Sequence, residues 1–536
     1  MNAKTRIVII GGGFAGTATA LNLEKSYRHD PSVEITLIDS ENFFTFTPLL
    51  AEVPSGSVQP KHIVFPLRAL LKRTKVKQAE VKSIDLKNRT VIAAHCEVCG
   101  DESLPFDQLV LALGSVPNYF GLPGVAEHAL TIKSLADATA LHAQVIDKLE
   151  HADLQSDPGA RRQLLTFVVA GGGFAGVETL AELNDFVRGA RQFYPNVSPE
   201  DVRMVLIHSG NRILPEVSES LSAYALKQLR SQGVEVLLET RVLGRTGHSV
   251  RLSTGEELLA STFVWAAGTA PSPILDRLDL PRTKAGKIEV DATMAVSGHP
   301  GLWAVGDSAA IPDVVTGGLC PPTAQYALRQ GKRLAQNIAA VLEGREAEPF
   351  KFKSLGVLAG LGRRSAVAEI LGFQFSGFVA WWLFRTIYLM KLPGFERKLR
   401  VAIDWTLDLF FSRDIVYLRP LHTAHGPGAV SHELENDLET NSVESHTPVR
   451  PVRRSHRSRG VAHMICNLAT WRASLQAVDV RCLCVFAHLV PICPTNRFLD
   501  RRDLCPDHLA SADDQCIPSW HLSRISVGHA SHALPS

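Results

Sequence analysis

The apolar positions of this chain fall into short runs that alternate with helical spacing, and one such succession occurs twice. Ile7-Val8-Ile9-Ile10 leads without polar interruption into a glycine-rich turn and then into residues 17–25, good helix formers including Ala18, Ala20 and Leu21. A continuous β-branched run of this kind predicts a strand buried on both faces, and run, turn and helix together predict one unit of a parallel α/β sheet. A second run, Glu34-Ile35-Thr36-Leu37-Ile38, follows, and residues 106–115 supply a third, ending in Gly114. Residues 61–94 instead alternate charged and apolar positions (Glu80-Val81-Lys82-Ser83-Ile84-Asp85-Leu86) and read as a strand-rich crossover. Helical spacing returns at residues 131–151 (Leu135, Ala138, Leu141, Val145, Leu149), and residues 164–183 then repeat the opening run, turn and helix. Beyond it the pattern predicts an amphipathic helix over 215–230, strands over 203–207, 234–238, 263–267 and 301–305, a hairpin around Thr254-Gly255, and a helix from Pro321 to about Leu342.

The two turns carry the chemistry. The first reads Gly11-x-Gly13-x-x-Gly16 and the second Gly171-x-Gly173-x-x-Gly176, both inside the same six letters, G-G-G-F-A-G. In such a turn one glycine bends the chain, one lets the backbone approach a pyrophosphate, and one lets the helix pack on the strand with its N-terminal amides facing phosphate. The strand after the first copy ends in Asp39, where a carboxylate accepts ribose hydroxyls; the strand after the second ends in His208-Ser209-Gly210, with Arg212 close by, which leaves NADPH open beside NADH. Gly171 follows Gly11 by 160 positions (171 − 11), enough for two separate nucleotide domains. Two more strand ends point at these sites: Gly268-Thr269 at the second, and Gly306-Asp307, whose carboxylate suits a polyol such as a ribityl chain.

Composition narrows this reading. A chain of 536 residues needs more than one core. The net charge of +2 gives no reason to expect a nucleic-acid partner. Nothing before the first strand resembles a signal peptide, so the catalytic body is expected to face the cytoplasm. Of nine cysteines only Cys96, Cys99 and Cys320 precede residue 420, which excludes a disulfide framework and leaves no dithiol behind the first turn. Cys96-x-x-Cys99 lacks a nearby partner half and is read as structural, and no metal site is expected.

Near the end of this pattern, residues 370–384 are uncharged and aromatic-rich but too short to span a bilayer. Residues 396–411 gather Arg397, Arg400, Asp404 and Asp408 into a narrow helical wedge, with Leu399, Ala402, Ile403, Leu407, Leu409 and Phe410 on the broad remainder. That pattern suits a helix lying in a membrane interface. After residue 420 the composition changes, and residues 421–536, with a basic cluster (Arg450, Arg453, Arg454, Arg457, Arg459) and six cysteines, read as a disordered or non-native tail.

Over residues 6–420 these motifs resemble the type II NADH dehydrogenases, single-chain NADH:quinone oxidoreductases with two dinucleotide-binding domains. The resemblance implies that Gly11, Gly13, Gly16, Asp39, Gly114, Gly306 and Asp307 hold FAD, and that Gly171, Gly173, Gly176, Glu178 and Gly268 hold the nicotinamide nucleotide. It implies a helix beginning Ala324-Gln325 beside the flavin, with Gln325 holding a quinone head and Glu178 positioning the nicotinamide. Arg329 stands where the family often has a second glutamine, and is read as bonding the quinone carbonyl. The implied fold is α/β, with two Rossmann-like domains for FAD and NAD(P)H and a C-terminal amphipathic helical region. Its expected limits are 1–125 with 295–350 for FAD, 126–294 for NAD(P)H, and 351–420 for membrane association. The expected protein is peripheral, on the cytoplasmic face of the cell membrane, passes electrons from NADH to quinone without proton pumping, and leaves a homodimer open. The alternatives are a soluble NAD(P)H-dependent reductase with a non-quinone acceptor and a non-catalytic redox sensor.

Overall fold

The computed structural model describes residues 4–94, 100–362 and 364–416; Cys96, Cys99 and the tail 421–536 lie outside the described residues. The first apolar run forms β1 (Thr5–Ile10), whose isoleucines are buried, and the glycine turn opens directly into α1 (Phe14–Ser26). Next come β2 (Val33–Asp39), β3 (Lys75–Gln78) and β4 (Gln108–Leu111). The alternating segment makes a three-stranded antiparallel sheet from Glu80–Asp85, Thr90–Ala94 and Asp101–Pro105, as its charge pattern predicts.

The chain then builds its second half: β5 (Leu130–Thr131), α2 (Leu135–Leu154), β6 (Thr166–Ala170), α3 (Phe174–Ala190) and β7 (Arg203–Ile207). α4 (Glu219–Ser231), β8 (Val234–Leu237) and β9 (Thr262–Trp265) complete it. α4 begins four residues later than the apolar spacing alone predicts, after Pro215 and the buried Val217. The chain returns to the first sheet with β10 (Leu302–Ala304), then runs through α5 (Ala324–Leu342), capped by Thr323, whose hydroxyl accepts from the Tyr326 amide.

The two sheets share one topology. The first has the order β10-β4-β1-β2-β3 and the second β5-β9-β6-β7-β8, every pairing parallel. In each, the strand that feeds the glycine turn lies in the middle, so its carboxyl end opens the crevice where α/β sheets bind ligands. α5 closes on α1 at Gly331, where a Cβ would lie 2.4 Å from the Ala15 carbonyl oxygen; a side chain there would separate the helices.

The uncharged run 370–384 does not form one element. β11 (Gly356–Gly360), β12 (Ala366–Ile370) and β13 (Phe373–Ser376) pair antiparallel, and the chain enters α6 (Gly377–Lys391). Leu371 and Gly372, both at positive φ, form the two-residue turn that lets a strand fold back where apolar content alone gives no break. α7 (Phe395–Leu407) follows. Its polar wedge divides: Asp404 turns inward to His62 and the Gln59 amide, with the buried Val401 and Trp405 beside it, while Leu399, Ile403 and Leu407 are exposed. Among the described residues no helix is long and apolar enough to cross a membrane.

Candidate active site

The two glycine turns have the same internal geometry. At the first, the Gly11 amide donates to the Ile38 carbonyl at 2.8 Å; at the second, the Gly171 amide donates to Ile207, also at 2.8 Å. Gly11 and Gly171 sit at φ +105° and +122°, and a Cβ on either would lie within 2.4 Å of a carbonyl oxygen, of Ala112 and Ala266 respectively. Gly16 and Gly176 meet the preceding turn so closely that a Cβ would come within 1.9 Å of the Gly11 and Gly171 oxygens. Gly13 is different: no atom lies within 4 Å of the position its Cβ would take, so the helix N-terminus is open to an approaching group. At Gly173 only Glu216 comes near, at 3.8 Å. Open main-chain donors at a helix start fit a pyrophosphate in both places.

Polar groups converge on the first turn from three strand ends. Asp39 Oδ2 accepts from the Gly12 amide at 2.5 Å, which fixes the carboxylate at the rim of the turn. Asp307, after β10, accepts from the Ser115 hydroxyl at 2.8 Å, and Lys133 approaches the same oxygen at 3.8 Å. Gly114 lies at φ +66° with open space around it, and its carbonyl takes the Ser308 hydroxyl at 3.3 Å. The Gly306 amide donates to the buried Gln330 side chain of α5 at 3.2 Å. A carboxylate for ribose, one for a polyol and an open cradle between them are the donor and acceptor set that FAD requires.

At the second turn, Gly268 lies beneath the Phe120 ring, 2.7 Å from where a Cβ would stand, and its carbonyl accepts from the Asn118 amide. Glu178, one residue into the second turn of α3, accepts from the Gly360 amide of β11 at 3.0 Å. Burial pushes its carboxyl up to about 8, with the charges of Glu52 and Glu182 acting in the same sense. Glu52, 5% exposed, receives the Trp405 indole N–H at 2.6 Å, and burial pushes it up to about 7. The Tyr388 phenol is pushed up by burial and by the charges of Glu178 and Glu52. Glu182 accepts from Ser55 and Ser57 and pairs with Arg413 at 3.2 Å, and Arg413 reaches Asp408 at 2.7 Å. The result is a cluster of carboxyl groups joining α3, the turn Thr47–Glu52, α6 and α7.

On α5, Ala324 is the first helical residue and the Gln325 side chain binds main chain: its Nε2 donates to the Gly356 carbonyl at 3.2 Å and its Oε1 accepts from the Leu355 amide at 3.1 Å. Gln325 thereby holds the start of β11. Arg329 donates to the Gln325 carbonyl at 2.9 Å and stacks on Phe352, with its guanidinium carbon 4.2 Å from the ring centre. Among the described residues no group of His, Cys, Asp and Glu side chains is placed to hold a metal ion.

The profile of the pyridine nucleotide-disulphide oxidoreductases matches residues 5–331, and that of the NDH2 C-terminal domain matches residues 355–414. Type II NADH:quinone oxidoreductase Ndh of Mycobacterium tuberculosis is 33% identical over 431 residues, 76% of this chain and 89% of its own length. The chain belongs to the type II NADH dehydrogenases. Demethylphylloquinone reductase NdbB of Synechocystis is 34% identical over 410 residues, 75% of this chain and 96% of its own. The solved structure of NDH2 from Plasmodium falciparum in complex with NADH shares the fold at a TM-score of 0.72 and 20% identity, covering 77% of this chain and all of that one.

A type II NADH dehydrogenase contains FAD and oxidises NADH, so both cradles have an occupant by family. The structure brings Gly11, Gly13, Gly16, Asp39, Gly114, Gly306 and Asp307 to one crevice and Gly171, Gly173 and Gly176 to the other. Glu178 faces the C-terminal region rather than the mouth of its own turn. Sequence reasoning missed Glu52, Glu182, Tyr388, Trp405 and Arg413. One signal for Glu52 was available, since it is a lone acid inside the apolar stretch 43–54, a place where a charge survives only if something answers it.

Proposed function

We propose that this chain performs its family's reaction, carrying two electrons from NADH to a membrane quinone without pumping protons, with FAD in the first cradle and the nicotinamide nucleotide in the second. The duplicated cradle carries this reading, because a relay from a nicotinamide nucleotide through a resident dinucleotide needs two such sites in one chain. When bound, FAD supplies a hydride acceptor that returns electrons singly or in pairs. The residues do the rest. The amides at the starts of α1 and α3 hold pyrophosphates, Asp39 and Asp307 take ribose and ribityl hydroxyls, and Gly268 lines the nicotinamide cleft. In this reading the FAD domain comprises 1–125 and 295–350, the nucleotide domain 126–294, and the membrane-associating region 351–420.

Reduction of a quinone to a quinol takes up two electrons and two protons; the hydride from NADH accounts for both electrons and one proton, so one further proton must be supplied. Glu178, whose carboxyl burial pushes up to about 8 and which accepts from the Gly360 amide of β11, serves in this reading as a proton source on the side of the C-terminal region rather than as a group positioning the nicotinamide. Gln325 and Arg329 line the acceptor side, Gln325 by fixing 354–356 and Arg329 by offering a cation held over Phe352.

The exposed apolar face of α6 and α7 supports docking on a membrane surface, which this reading takes to be the cytoplasmic leaflet. Phe395 is 81% exposed and Phe410 77%, alongside Trp382, Met390, Leu399 and Ile403, and Lys391 and Arg400 flank them. A soluble surface rarely carries so many large apolar groups together, and aromatic residues with basic neighbours suit headgroup depth. A homodimer would use the same face, and sedimentation with and without lipid vesicles separates the two. The decisive experiment on the reaction is steady-state NADH oxidation by flavin-replete protein with a short-chain quinone: quinone-dependent turnover is expected, and its absence overturns the reading.

A further inference from the structure

We propose that His208 makes the second cradle tolerant of a phosphate on the adenosine ribose, so that this chain oxidises NADPH as well as NADH. The inference rests on the reading of the second cradle as the nicotinamide nucleotide site.

The two copies of the turn establish which residue does what. Gly11 bonds Ile38 and Gly171 bonds Ile207, so the next residues, Asp39 and His208, occupy equivalent places at the ends of β2 and β7. Each then accepts from the middle glycine of its turn: Asp39 Oδ2 from the Gly12 amide, and His208 Nδ1 from the Gly172 amide at 3.2 Å. The ring fills the space beneath the turn, since a Cβ on Gly172 would lie 2.6 Å from it. An imidazole nitrogen that accepts an amide proton carries no proton of its own, so the ring is the neutral Nε2–H tautomer. Burial lowers its basicity, which keeps it neutral.

At this position a carboxylate does two things: it accepts hydrogen bonds from the ribose hydroxyls, and it repels a 2′-phosphate. Neutral His208 does neither. The charges around it are mixed. Arg212, on the same loop, has its guanidinium held by the Pro215 and Val217 carbonyls at 3.0 and 3.3 Å, so a fixed cation stands in the segment that follows His208. Glu216 lies at the mouth of the turn and acts on His208 by charge, and Glu239, at the end of the neighbouring strand, is joined to the loop by its amide, which donates to Gly210. Glu239 is thus the carboxylate able to take over discrimination if His208 does not set it.

The test uses the FAD-loaded full chain, with kcat/KM for NADH and NADPH in the presence of a short-chain quinone, and dissociation constants for NAD+ and NADP+ by calorimetry. Native protein is expected to favour neither nucleotide by more than about tenfold, and His208→Asp, which copies the first cradle, is expected to depress NADPH use and NADP+ binding by at least about tenfold, through KM more than kcat. His208→Asn, neutral and still able to accept from Gly172, is expected to keep the native ratio. Native preference for NADH beyond about a hundredfold, an unchanged ratio in His208→Asp, or a gain of NADPH use in Glu239→Gln larger than the loss in His208→Asp overturns the proposal. If NAD+ and NADP+ both fail to bind, the reading of the second cradle falls and the proposal with it, a result distinct from selective loss of one nucleotide.

Discussion

Trp405 donates its indole N–H to the buried carboxyl of Glu52 at 2.6 Å, across 353 positions of sequence. The bond fastens α7 to the turn Thr47–Glu52, which packs against α3, and it answers a carboxyl that burial would otherwise leave without a donor. Removing the donor alone leaves that carboxyl unsatisfied, which typically costs about 1–3 kcal/mol. Trp405→Phe is therefore expected to lower unfolding stability by about 1–3 kcal/mol in denaturant titrations, and Trp405→Phe with Glu52→Leu to recover part of it.

Glu178 and Glu52 make the protein sensitive to alkali in two ways. Both carboxyls are raised above their ordinary 4.5, to about 8 and about 7, so the folded state binds more protons than the unfolded one between those values. Their contribution is fully present below about 4.5 and is lost as pH rises through about 7 and then about 8. Thermal stability is expected to fall from pH 6 to pH 9, less steeply in Glu178→Gln. Quinone-dependent kcat is expected to fall along the same limb in native protein, and Glu178→Gln to show a low rate without that limb; an identical limb in the variant excludes Glu178 as the proton source.

The glycines of each turn separate folding from binding. Gly13 has room for a methyl group and Gly176 does not. Gly13→Ala is expected to fold and to lose FAD, seen as a colourless protein of native secondary structure. Gly176→Ala is expected to lose about 1–3 kcal/mol or more, the size seen for overpacked cores, in thermal unfolding.

Leu399 and Ile403 are about half exposed on α7 with no protein neighbour required to cover them. Burying a side chain of this size is worth about 1.5–3 kcal/mol, so Leu399→Asp with Ile403→Asp is expected to lower partition onto anionic vesicles by more than about tenfold. Turnover with a water-soluble quinone is expected to persist, measured on the same preparation.

Gln325 is expected to act through the chain it holds. Gln325→Ala removes both contacts to 355 and 356 and is expected to lower quinone-dependent kcat by about tenfold, while stopped-flow flavin reduction by NADH stays near the native rate.

The sheets and the cradles were legible in the sequence because their determinants are local. Gly11, Gly16 and Asp39 announce themselves by type and spacing, and a run such as Ile7-Val8-Ile9-Ile10 has few structures other than a buried strand. The carboxyl cluster was not legible, because Glu52, Glu182, Trp405 and Arg413 acquire meaning only from partners hundreds of positions away. The run 370–384 was legible as too short to span a bilayer, but its internal break was not. Its apolar content hides the turn at Leu371-Gly372, where conformation rather than hydropathy breaks the segment into strand and helix. The wedge of charges on α7 was visible, but which of its members face the body depended on His62 and Arg413, and no periodicity reports those.

Gly331 has a further consequence. Because α5 rests backbone to backbone on α1 there, a side chain at 331 would displace the glycine turn at the start of α1 and the Gln325 contacts at the start of α5 together, so one small residue keeps two ends of the molecule in register.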